Sequence, residues 1–90
     1  MEQLPDGLAP YKRTPEFTET TAPAGLLKDH KLAAGVWGVI HVISGRLRYV
    51  IPSRREDVVL SPGLDGIVVP ETPHHVAPEG SVRFYVEFWR

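Results

Sequence analysis

Ninety residues with ten basic and eleven acidic side chains and no cysteine leave room for one modest core. They exclude electrostatic attraction to nucleic acid or an anionic membrane, a disulfide scaffold, a thiolate metal site and a cysteine nucleophile. Nine prolines in a chain that is 42% apolar and 23% charged argue for a soluble, strand-rich single domain over residues 1–90 and against a helical bundle.

The opening Met-Glu-Gln-Leu-Pro lacks the basic and apolar pattern of a secretion signal, and the longest apolar run, 36–43, is too short to cross a bilayer. A cytoplasmic protein is expected. Residues 1–25 carry Pro5, Pro10, Pro15 and Pro23, each fixing φ and pushing its predecessor toward extended geometry. They read as an extended arm pinned to one edge of the domain by Leu4, Leu8, Tyr11 and Phe17. A helical turn is expected near 26–31.

From Gly35 onward the pattern changes. VWGVIHVI, then Ser44-Gly45, then RLRYVI reads as a β-hairpin turning at Ser-Gly, with Leu47, Tyr49 and Ile51 on one face and Arg46, Arg48 and Val50 on the other. Residues 52–57 read as a polar loop. Three further strands are expected at 58–60, 67–69 and 82–89, separated by Ser-Pro-Gly, Pro-Glu-Thr-Pro and Pro-Glu-Gly breaks. Short strands between frequent turns predict a sandwich or barrel, and closure would remove edges that the chain has no helix to cover.

No GxGxxG, P-loop, GxSxG or HExxH occurs, and Ser44, Ser53, Ser61 and Ser81 all sit in apparent turns, so a serine hydrolase is a poor reading. Without thiolate, imidazole and carboxylate are the side chains left for a divalent metal, and the histidines stand at 30, 41, 74 and 75. In a strand after Pro73, His74 shares a face with Val76 while His75 points away. His30 precedes the apolar strand and could aim inward beside His74. Glu71, three positions before His74, could fold back toward the same point, and Glu87 interrupts FYVEFW.

Each residue also has a plainer reading. His74 could simply bond the backbone at a strand edge, and Glu71 could be a solvated turn residue. Alternation could put Phe84, Val86 and Phe88 inside with Arg83, Tyr85 and Glu87 outside. His41 reads as a core or outer-face residue, His75 as a surface one, and Trp37 and Trp89 as packing.

The order HVISGRLRYV, SPG and VPETPHHV resembles the two motifs of the cupin superfamily. More narrowly, YKRTPEF, TAPAGLL, DHKLAAGVWG, PETPHHV and VRFYVEF resemble the cupin-like domain of the tellurite-resistance TehB and YeaR type, across essentially the whole chain. The resemblance implies a small double-stranded β-helix, a jelly-roll barrel, with His30, Glu71, His74 and Glu87 as its recurring polar set. It also departs from the common pattern: His30 stands alone where cupins carry HxH, and Gly38 stands about where their glutamate would be. Some relatives continue into an S-adenosylmethionine-dependent methyltransferase that acts on tellurite.

The expected function is therefore a cupin-like domain that binds a divalent metal, zinc first with iron or nickel as alternatives, together with a small molecule or oxyanion, in tellurite or oxyanion stress. A metal-dependent oxygenase or isomerase is the first alternative, since two histidines and one carboxylate make a facial triad for iron. A metal-free ligand-binding or protein-interaction module is the second. A homodimer is expected because FYVEFW carries large aromatics that a chain of this size struggles to cover.

Overall fold

The computed structural model describes residues 2–90. Two long strands dominate it, β3 (Trp37–Ile51) and β6 (His75–Trp89), each of 15 residues. Four short ones are added: β1 (Pro10–Arg13), β2 (Phe17–Thr18), β4 (Glu56–Leu60) and β5 (Gly66–Val68). They form one antiparallel six-stranded sheet in the order β1-β6-β3-β4, with β2 also on β6 and β5 also on β3.

The sheet does not close into a barrel. Its path ends at β1 on one side and β4 on the other, correcting the expectation of a closed or nearly closed barrel. The β1 edge is blunted by composition, because Pro-Tyr-Lys-Arg is exposed throughout and its proline and cations discourage pairing with another chain.

The expected hairpin at Ser44-Gly45 does not form either, and Pro78-Glu79-Gly80 breaks no strand. The two turn signals lie opposite each other, since Ser44 pairs with Arg83, Gly45 with Val82 and Leu47 with Pro78. The ladder shifts register between Val42 and Ser44 and again between Gly45 and Leu47. Both segments thus become bulges at a shared bend, which increases local twist and turns the two long strands together. Gly45 sits at φ +79, and a Cβ there would collide with the carbonyl oxygen of Ser81, so this position needs glycine. The bulges also switch which residues face inward: Ile40 and Val42 before the bend, Leu47, Tyr49 and Ile51 after it.

The true hairpin joins β3 to β4. Ile51 pairs with Glu56, and the expected polar loop is a single 3₁₀ turn at Pro52–Arg54 followed by Arg55 at φ 54. The other predicted turn is a 3₁₀ turn at Ala24–Leu26 rather than a helix over 26–31. Pro23 starts it by accepting from Leu26 N at 2.9 Å, and the chain then extends toward His30.

The core is the inward face of the bent sheet: Ile40, Val42, Leu47, Tyr49, Ile51, Leu60, Val68, Val76, Val82 and Phe84. Tyr49 is the one polar member, and its hydroxyl donates to Ile67 O at 2.9 Å, which removes the cost of burying it. Within the arm, β1 and β2 both pair with β6. Phe17 anchors the arm edge-on to Phe84, centroids 5.8 Å apart, whereas Tyr11 is exposed, with the Arg90 guanidinium over its ring.

Candidate functional site

The site begins with backbone. His30 N donates to His74 O at 3.0 Å and His74 N donates to His30 O at 2.9 Å. Two residues that exchange both bonds stand directly opposite with side chains on the same face, so the His30 and His74 rings meet, centroids 4.2 Å apart and planes tilted by 55°. Glu71 N donates to Leu32 O at 2.9 Å and extends the same pairing.

Both rings are held the same way. His30 Nδ1 lies 3.1 Å from Lys28 O and His74 Nδ1 lies 3.0 Å from Thr72 O. A carbonyl oxygen only accepts, so in each ring Nδ1 carries a proton and Nε2 is the nitrogen left for another partner. His74 is 4% exposed, and burial holds its pKa below the ordinary histidine value, with Thr72 O opposing that shift and the neighbouring His30 adding to it. A neutral ring with a free Nε2 is the form that binds a metal or accepts a hydrogen bond. No side-chain nitrogen or oxygen among the described residues is both sealed and unpartnered. The unbonded Nε2 of His74 therefore reaches open space.

His30 and His74 both line a cavity of about 90 Å³, walled by Leu26, Leu32, Ile40, Phe84, Val86 and Phe88 with Thr14. An open cleft of about 360 Å³ adjoins it, lined by Thr14, Phe17, Pro23, Gly25, Leu26 and His30. Thr14, Leu26 and His30 belong to both.

The two carboxylates named with these histidines lie elsewhere. Glu71 is exposed, at φ 59 in its proline-bounded turn, and does not line the cavity. Glu87 is on the opposite face of β6, because Phe84, Val86 and Phe88 take the inner positions. There Glu87 Oε1 accepts from Trp89 Nε1 at 2.9 Å and lies 3.3 Å from His41 Nε2. His41 Nδ1 is 3.3 Å from Asp65 Oδ2, Tyr85 stacks on the His41 ring, and the Arg13 guanidinium lies over the Tyr85 ring. Among the described residues, no three or more His, Asp or Glu side chains converge where one metal ion could be held. At Gly38 a side chain would press on Val68 Cβ at 3.1 Å and Leu32 Cδ1 at 3.2 Å, so hydrocarbon occupies the place where a glutamate could have projected.

His75 is more than a surface residue: its Nδ1 is 2.7 Å from Asp29 Oδ1. The signal for that pair was in the sequence, since Asp29-His30 running antiparallel to His74-His75 sets 29 against 75 once 30 faces 74. Nothing in the local pattern marked Thr14 or Leu26 as cavity walls.

Residues 12–86 match the TehB-like domain family. The fold is similar to the crystal structure of a protein from E. coli strain K12, with a TM-score of 0.86 and 23% identity, covering 100% of this chain and 97% of that one. It is also similar to TehB from Haemophilus influenzae, with a TM-score of 0.81 and 22% identity, over 91% of this chain but 31% of the length of that protein. A search of curated proteins finds no match.

Proposed function

The chain belongs to the TehB-like domain family, and from that premise we propose that it is a small-ligand binding module whose His30 and His74 hold a divalent metal ion, zinc first with iron or nickel as alternatives. The setting proposed with it is the tellurite or oxyanion stress response of TehB-type proteins, and the cysteine-free composition suits a reducing cytoplasm. We further propose a cupin-like architecture, supported by the way both 15-residue strands double over to enclose the core.

One observation carries the metal reading: two facing imidazoles that both line the cavity and whose Nδ1 atoms are both turned to backbone carbonyls, at 3.1 and 3.0 Å, so that Nε2 is the nitrogen left to each ring for a ligand. Carbonyl bonds of this kind fix the tautomer and orientation of metal-binding histidines. Two imidazoles supply only part of a coordination sphere, so the bound molecule and water would complete it, and the ion would act there as a Lewis acid. Oxygenase or isomerase chemistry at a facial triad has less support, because neither Glu71 nor Glu87 stands beside the pair. Pairing of two copies through exposed apolar side chains such as Tyr11, Ile43 and Leu64 is proposed alongside, with light scattering as its check.

Metal analysis of protein purified without a nickel column tests the central claim. Bound metal is expected to be lost in His30→Ala and in His74→Ala, and kept in Glu71→Ala and Glu87→Gln. Unchanged stoichiometry in both histidine variants would overturn the reading.

A further inference from the structure

The walls of the cavity say what kind of molecule belongs in it. No Lys, Arg, Asp or Glu lines either the inner cavity or the outer cleft. The Thr14 hydroxyl is already used in both directions, donating to Pro15 O at 2.8 Å and accepting from Val86 N at 3.0 Å. The imidazole Nε2 lone pairs are therefore the free polar valence, and they accept rather than donate. A bare anion there would face lone pairs and hydrocarbon with no donor to replace its hydration. A hydroxyl or N–H would instead complete a buried acceptor, and a hydrocarbon body would match the remaining wall.

The two spaces are also connected by residues that border both. Leu26, on the 3₁₀ turn that follows Pro23, lies between them with Thr14 and His30. A molecule with its head at the histidines would run outward along Leu26 toward Phe17.

We infer that the inner cavity and outer cleft form one site for a small uncharged molecule with an apolar body and a single hydroxyl or N–H head, the head donating to Nε2 of the His30–His74 pair. This rests on the ligand-pocket reading above and applies to the metal-free protein, because an Nε2 lone pair that coordinates an ion cannot also accept from the head. Leu26 sets how large a body the site accepts.

Phenol, toluene and benzoate share a ring and differ in the head, so they are the probes. Each is titrated into the chelator-treated full chain while amide NMR shifts are followed. Phenol is expected to shift the amides of Thr14, Leu26, His30, His74 and Val86, toluene to bind roughly tenfold more weakly for want of the hydrogen bond, and benzoate to bind more weakly still. Leu26→Trp should weaken phenol at least tenfold while amides beyond the bend keep their positions. In the wild type, toluene or benzoate matching phenol, or shifts that avoid these residues, would overturn the inference. If that happens while metal is still lost in the histidine variants, the metal reading survives alone. Phenol binding with metal content unchanged in those variants gives the reverse.

Discussion

The His30 and His74 rings lie 4.2 Å apart because their backbones exchange both amide hydrogen bonds. The contact is thus made by main chain, and each ring is separately oriented by a carbonyl two residues before it. Removing one imidazole should leave the other in place.

Stability should depend on pH through His74. Its folded-state pKa lies below the ordinary 6.5, chiefly through burial. The unfolded chain therefore binds more protons between the two values, and stability rises with pH across that window. The contribution is whole above about 6.5 and is lost as pH falls toward the folded value. Urea midpoints at pH 8 and pH 5.5 should differ more for the wild type than for His74→Gln.

Gly45→Ala should be severely destabilising, by at least about 2 kcal/mol, since it combines a left-handed backbone with a collision. The residue sits at φ +79 with the Ser81 carbonyl where a Cβ would go. Thermal melting checks this, with Gly63→Ala as the control: that glycine has φ +88 but open space around it, so it should show only the smaller conformational cost.

Glu19→Ala should open the bend. The Glu19 carboxylate accepts from Val82 N at 3.0 Å, beside the register shift in β6, and that backbone bond is the main cause holding its pKa below the ordinary 4.5. The depressed carboxylate contributes above 4.5, and the contribution is lost as pH falls through the folded value. Hydrogen exchange at the Val82 amide should speed up in the variant, and should do so in the wild type only below that range.

Glu87→Ala should cost about 1 kcal/mol, the net worth of a part-buried hydrogen bond, and shift the Trp89 emission as the indole N–H loses its acceptor. Metal content should not follow it. A parallel loss of metal would mean that Glu87 reaches the histidine pair after all.

Much of this molecule can be read from short stretches of chain. Leu47, Tyr49 and Ile51 alternate inward as written, as do His74 with Val76 and Phe84 with Val86 and Phe88. The proline-rich arm follows a sheet edge. The alternative reading of Glu87 as an outer-face residue also follows from strict alternation, and it is the one that the geometry of β6 fits.

Three features lay beyond the reach of any short stretch: whether Ser44-Gly45 would turn the chain or bend it, which carboxylates would stand near His74, and what would wall the cavity. A glycine at positive φ serves a hairpin turn and a bulge equally well. Which one forms depends on what lies across the ladder, and here it is Val82, beside another glycine-containing break. Side-chain period is a property of one strand and can be counted along it. Register is a relation between two strands far apart in the chain, and only the folded sheet, with β3 and β6 paired end to end, chose it.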